Sequence, residues 1–357
     1  MFQLCYQKRI FSKPDDFNHL ESDAPTFVKA AFSFCAAWLS GQKLFTQETS
    51  GSTGIPKRIT IHRGQMEASA KATGEFFKIN SNWNLLCCLN PEYIAGKMML
   101  VRAMTWQCKI ELTEPSSNPF LKSDFSIPLD FVAMVPLQVE AALSNRKTSE
   151  KLKASKNIII GGAPITSSLQ NQLISLSITA YQTFGMTETV SHIALAKISK
   201  EELIYKTLPG VTIGITDQQL LWIKSDMSGP ESIQTNDEVE LVGENRFRWM
   251  GRSDFVINSG GVKLHPELIE QKAAILIHQF FPEVSSFFGS LPDDSLGQKL
   301  ILFLETESPN EKKAKDLKDA LKSSLNRFEV PKEIVFKKRF QRTSNGKLDR
   351  LKTINEL

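Results

Sequence analysis

Thr49 to Lys57 reads TSGSTGIPK, and the rest of the chain is organised around it. Two Ser/Thr pairs and two glycines precede Ile-Pro-Lys, so hydroxyls, unhindered backbone N–H groups and one cation fall together. Such a set suits a polyphosphate, whose oxygens accept from these donors. The segment departs from the GxxxxGK[ST] phosphate loop, because Lys57 follows a proline and no Ser or Thr comes after it. In isolation it is a polar turn between two strands: KLFTQ (43–47) leads in and KRITI (57–61) leads out.

Working outward, residues 17 to 39 contain AFSFCAAWL and predict a buried helix with Pro25 near its start. A second helix is expected over Gln65 to Phe77. Short apolar runs and helical patterns then alternate: NLLCCL, IAGKMMLVRAM, DFVAMV, PLQVEAAL, NIII, SSLQNQLISL. That rhythm predicts an α/β domain with a largely parallel sheet. Beyond Pro209 the stretches QLLWIK, EVELV and RFRWM predict a β-rich subdomain attached to it. A boundary is expected near Gly251-Arg252-Ser253-Asp254, dividing a large domain (1–251) from a small α+β domain (252–357). In the small domain, a turn at Ser259-Gly260-Gly261 precedes a helix opening at Pro266-Glu267. EKKAKDLKDALKSSLNRF sets Ala314, Leu317, Leu321, Leu325 and Phe328 on one helical face.

Composition narrows the function. Over 357 residues, 43 Lys+Arg against 39 Asp+Glu leave a net charge of +4, too mild to imply nucleic acid or an anionic membrane as partner. The five cysteines are odd in number and lack CxxC spacing, which predicts reduced core residues in a cytoplasmic protein. No apolar run is long enough to span a bilayer, and MFQLCYQKRIF carries no export pattern.

Five further stretches follow the glycine-rich turn in a fixed order: GGAP (161–164), YQTFGMTE (181–188), TND (235–237), GRSDFVINSGGVKLHPELIE (251–270) and RTSNGKLDR (342–350). In this set the chain resembles the adenylate-forming superfamily of acyl- and aryl-CoA synthetases, peptide-synthetase adenylation domains and luciferases, over residues 45 to 350. The resemblance implies the adenylate-forming fold, a large α/β domain with a small mobile C-terminal domain. It also implies activation of a carboxylate by ATP to an acyl-adenylate, from which coenzyme A displaces AMP. Ser50, Gly51, Ser52, Thr53, Gly54 and Lys57 would then hold the β- and γ-phosphates. Thr187 would touch the α-phosphate, and Glu188 would ligate Mg²⁺, a hard cation suited to carboxylate and phosphate oxygens. Adenine would lie against Gly161, Gly162, Ala163 and Pro164, with Phe184 as aromatic wall. Asp237 would accept from the ribose hydroxyls with Arg252 in support, although Asn236 stands where the family has glycine. Lys347, with Arg339, Arg342 and Arg350 near it in sequence, would be the catalytic cation at the α-phosphate. Asp254 matches the hinge about which the small domain turns between half-reactions. Ser259, Gly260 and Gly261 would then line the passage for coenzyme A.

The acid is addressed by PEYIAGKMMLVRAM (91–104), which as a helix puts Ala95, Met98 and Arg102 on one face. A guanidinium on an apolar stripe must reach water, pair with an internal acid, or meet an anionic ligand. The stretch looks like the HxSGxxxxxR segment of o-succinylbenzoate–CoA ligases of menaquinone biosynthesis. There the arginine takes the substrate's second carboxylate, and Arg102 keeps the same offset from Gly96. Tyr93 replaces the family histidine, and His192, shortly after the TE pair, is a candidate to compensate. Only 48 residues precede the glycine-rich turn, far fewer than in most relatives, which raises a homo-oligomer as the means of covering the face thereby exposed. Three rival readings remain: a CoA ligase for another aryl or acyl acid, an enzyme passing its acyl group to a carrier-protein thiol, and a catalytically silent nucleotide-binding module.

Overall fold

The structure is a computed structural model; it describes all residues except 19, 21, 50–56, 124–127, 283, 343–347 and 357, and the side chains of Thr49 and Lys57. The chain opens with β1 (Gln3–Tyr6), β2 (Arg9–Phe11) and α1 (Thr26–Leu39). The first helix is shorter than expected: Pro25 is its N-cap, and residues 14–17 form a separate 3₁₀ turn. Next come the hairpin strands β3 (Leu44–Thr49) and β4 (Lys57–His62), then α2 (Arg63–Phe77), β5 (Asn84–Cys87), α3 (Ile94–Trp106) and β6 (Lys109–Leu112). The α/β rhythm continues through β7 (Phe131–Met134), α4 (Pro136–Leu143), α5 (Arg146–Ala154), β8 (Asn157–Ile160), α6 (Ser167–Ser175) and β9 (Ala180–Gly185).

Strands β9, β8, β7, β5, β6 and β1 lie side by side and parallel. Their apolar runs are explained by burial on both faces. In β7, Phe131 and Ala133 point into the core that holds Phe32, Met66 and Met98 of α1–α3. Val132 and Met134 point the other way, against Val139, Leu152 and Leu169 of α4–α6. A period of two thus feeds two cores at once.

The strands beyond residue 190 are β10 (His192–Lys197), β11 (Ile204–Thr207), β12 (Thr212–Ile215), β13 (Leu220–Ser225), β14 (Gly229–Gly243) and β15 (Arg246–Arg252). The β-rich part expected from the sequence is attached to the α/β part by continuing its sheet. β10 pairs antiparallel with β9, and among the described residues one sheet of thirteen strands runs from β12 to β2. Hydrogen bonding simply carries on past the last parallel strand.

A second sheet begins after the 3₁₀ turn at Ser253–Phe255. It comprises β16 (Ile257–Ser259), β17 (Val262–Leu264), β18 (Ser286–Asp293), β19 (Gly297–Glu305) and β20 (Glu333–Lys337), with α7 (Pro266–Phe280), α8 (Glu311–Ser324) and α9 (Arg350–Asn355). In β19, Leu300, Leu302 and Leu304 meet α7 and α8, whereas Ile301 and Phe303 face Phe340 and Ile354. Ala314, Leu317, Leu321 and Leu325 are buried as expected, but Phe328 is 54% exposed. The helix stops at Ser324, where Leu325 turns extended, so the periodicity no longer applies four residues on. Arg350 anchors α9 by a two-pronged pair to Glu270 of α7 at 2.7 and 2.8 Å. Among the described residues no helix is long and apolar enough to cross a membrane, and the cysteines are free thiols.

Candidate active site

Three of the stretches singled out from sequence follow the carboxyl ends of parallel strands, where open α/β sheets present their binding crevice. Gly161 to Pro164 follow β8, Met186 to Ser191 follow β9, and Asn90 to Tyr93 follow β5 and enter α3. β3 and β4 are paired up to Thr49 and Lys57, so the glycine-rich segment joins two antiparallel strands. Ser50, Gly51, Ser52, Thr53, Gly54 and Lys347 lie outside the described residues, as does the side chain of Lys57.

Helix α3 is apolar nearly all round, so the middle of it is buried wherever it faces. Arg102 is therefore only 1% exposed. Its Nη2 donates to Ser191 Oγ at 2.9 Å and lies 3.4 Å from His192 Nδ1. Nη1 reaches Met99 Sδ at 3.6 Å, the Phe131 ring lies 5.9 Å from the guanidinium carbon, and Nε has no partner. Among the described residues no carboxylate comes within ion-pair distance of it. Burial alone pulls this guanidinium down to about 9. It does not snorkel, and it pairs with no acid among the described residues.

His192, the candidate to compensate for Tyr93, is buried against Arg102. Arginine can only donate, so Nδ1 accepts from it and the ring proton sits on Nε2. Nε2 then faces Thr73 Oγ1 at 3.2 Å, and Thr73 donates onward to the Ser69 carbonyl at 2.9 Å. Burial, then the Arg102 charge, holds His192 well below its ordinary value, so it is neutral. The imidazole thus positions the guanidinium. Tyr93, proposed beside the acid, is the N-cap of α3 and 60% exposed. Gly96 and Met98 are buried. A Cβ at Gly96 would sit 2.4 Å from the Asn90 carbonyl oxygen, so glycine lets α3 pack against the loop after β5.

The second group lies on the antiparallel half of the sheet. Phe184 stands edge-on to Tyr205 and Phe247, with ring centroids 5.7 and 5.1 Å away. Asp237 is buried, and its Oδ1 accepts from Trp249 Nε1 at 2.8 Å. Burial raises the Asp237 carboxyl, against the pull of Trp249, Arg252 and Thr235. Arg252 is held by Asp254, its Nη2 lying 2.5 Å from Oδ2. Asn236, where the family has glycine, donates to the other oxygen of Asp254 at 3.0 Å. Gly251 has φ of 140°, and a Cβ there would come 2.9 Å from Glu267 Oε2. Ser259 is buried in β16, and Gly260 and Gly261 form the turn into β17.

Glu188 is exposed and makes no ion pair with the described residues; Thr187 beside it is half-buried. One free carboxylate fits Mg²⁺, which takes few protein ligands and shares the oxygens of a bound phosphate chain. Among the described residues no cluster of three metal-ligating side chains exists to hold a metal by itself. Sequence reading passed over Ser191, Thr73, Tyr205 and Trp249. Only Ser191, three residues after the TE pair, carried a local signal.

The pattern of the family described as AMP-binding enzyme matches residues 40–224, just over half of the chain. The chain belongs to the AMP-binding enzyme family. Among solved structures, it is 38% identical to an acyl-CoA synthetase (AMP-forming)/AMP-acid ligase II-like protein from Dyadobacter fermentans, covering 97% of this chain and 98% of that one with a TM-score of 0.64. An o-succinylbenzoate coenzyme A synthetase from Bacillus subtilis, in complex with ATP and magnesium ion, shares the fold at 22% identity. It covers 87% of this chain and 69% of that one, with a TM-score of 0.74. A 2-succinylbenzoate–CoA ligase of Haemophilus influenzae is 25% identical over 79% of this chain, which spans 64% of that ligase's length. The adenylate-forming fold expected from the motifs is therefore the fold of this chain.

Proposed function

We propose that the protein is an ATP-dependent acid–CoA ligase whose acid carries a second carboxylate, with o-succinylbenzoate as the substrate. The observation that carries the choice of acid is Arg102, a charge in an apolar helix with no carboxylate of the described residues in reach. A buried cation without a counter-ion is costly, and an anionic ligand removes that cost. The reactive carboxylate attacks the α-phosphorus of ATP, the bond to the bridging oxygen of pyrophosphate breaks, and pyrophosphate leaves. The coenzyme A thiolate then attacks the acyl carbonyl and AMP departs. Asp237 accepts from the ribose, Phe184 flanks the base beside residues 161–164, and Thr187 meets the α-phosphate. The hydroxyls and N–H groups of residues 50–54, with Lys57, hold the outer phosphates. Glu188 would hold Mg²⁺, which would supply positive charge beside the phosphate oxygens. Lys347, from the small domain (252–357), places an ammonium between attacking carboxylate and α-phosphate, and the hinge at Asp254 withdraws it for the thiol step. Pyrophosphate release measured over a panel of acids tests the reading. Release with o-succinylbenzoate and CoA-dependent thioester formation are expected. Equal turnover of benzoate and o-succinylbenzoate would remove the dicarboxylic acid, and no release with any acid would remove the ligase.

A further inference from the structure

Trp249 owes its place to an irregularity between β14 and β15. Asp237 faces Arg252 and Glu238 faces Gly251, but Val239 faces Trp249, so Met250 is the extra residue of a bulge. Asp237 and Val239 share one face of β14, which makes the residue opposite Val239 a diagonal neighbour of Asp237. The indole crosses that diagonal, and its Nε1–H donates to Oδ1 at 2.8 Å.

We propose that Trp249 is a positioning residue for the nucleotide, fixing the Asp237 carboxylate as an ionised acceptor for the ribose hydroxyls. This rests on reading Asp237 as the ribose ligand. An indole can only donate, so it occupies one lone pair of the carboxylate and leaves the rest for sugar hydroxyls. It also supplies what a buried carboxylate needs to stay charged, a direct donor in a low-dielectric setting. The other charged or titratable groups facing Asp237 do less. Arg252 is already spent on Asp254, Asp254 is itself an anion, and Tyr205 on β11 is kept neutral by burial.

The experiment is calorimetric titration of the full chain and of Trp249→Phe with ATP and with 2′,3′-dideoxy-ATP, at pH 6 and pH 8. Phenylalanine keeps the apolar packing and removes the donor. Without it the buried carboxyl loses the donor that pulls it down and rises further. The variant should therefore bind ATP about tenfold more weakly at both pH values. Dideoxy-ATP, lacking both hydroxyls, should bind wild type and variant alike at each pH, which also cancels protonation of the phosphates and confirms that the variant folds. Unchanged ATP affinity at both pH values would overturn the proposal. So would equal weakening of both nucleotides, which would make Trp249 a structural residue only. Wild-type protein that binds the two nucleotides equally would instead refute Asp237 as the ribose ligand, a separate failure.

Discussion

Replacing Arg102 by methionine should leave the empty protein as stable as before or more so, while removing its use for a dicarboxylic acid. Burial brings the guanidinium down to about 9. At about 1.4 kcal/mol per tenfold, the gap from an ordinary arginine puts the cost of holding that charge at about 4–5 kcal/mol. Its hydrogen bond to Ser191 and the longer contacts to His192 and Met99 return about 2–4 kcal/mol. Methionine keeps most of the aliphatic stem in place. Ser191 Oγ, 3.4 Å from His192 Nδ1, can turn its hydroxyl to that nitrogen. The expected balance is a gain of about 0–3 kcal/mol, or a rise of roughly 0–6 °C in the unfolding midpoint without ligand. The same variant should raise KM for o-succinylbenzoate by about 100-fold, the worth of a charge-assisted pair in a buried site, and leave a monocarboxylic acid unaffected. Differential scanning calorimetry and steady-state pyrophosphate release give the two numbers. Breaking a satisfied buried pair instead costs stability by about 3 kcal/mol or more. A loss of that size would mean that the guanidinium already has its anion within the fold and is not held for substrate.

Gly96→Ala should destabilise the protein by about 1–3 kcal/mol, because the new methyl meets the backbone of Asn90 and Leu89, which cannot rotate away; thermal unfolding reads this. His192 is held neutral, with a folded value below its unfolded one, so the unfolded chain takes up a proton that the fold refuses once pH falls below about 6.5. Stability should then fall by up to about 1.4 kcal/mol per pH unit on acidification. His192→Gln should flatten that slope in unfolding curves from pH 7.5 to 5. Asn236→Gly removes the hydrogen bond to Asp254 at an exposed position, so its cost should stay below about 1 kcal/mol. Limited proteolysis should nonetheless cut residues 253–256 faster in that variant, and an unaltered cleavage rate would mean that Asn236 does not restrain the junction.

The motifs were legible because each is local. Hydroxyl, glycine and lysine within nine residues, or an aromatic three residues ahead of a TE pair, keep their chemistry wherever the chain goes. The period of the apolar runs likewise dictated a parallel sheet buried on both faces, since β5, β7 and β8 have no polar side to show to water. Three things lay beyond that reach. Phe328 fell off its helical face because a helix end depends on where the backbone turns extended, which the periodicity does not encode. The β-rich strands joined the main sheet because a strand edge pairs with whatever edge is beside it. Sequence reading left Arg102 between water, an internal acid and a ligand; only the packing of α3 against β7 and the loop after β9 took it out of water and, among the described residues, away from any acid. The contacts of His192 and Trp249 lay out of reach for the same reason: a hydrogen bond between residues 90 apart, or across a bulge, exists only once the strands that carry them are in register. The sequence by itself determined which chemistry the chain holds and the order of its parts. The tertiary structure alone decided which charges are buried, and what each has left to bind.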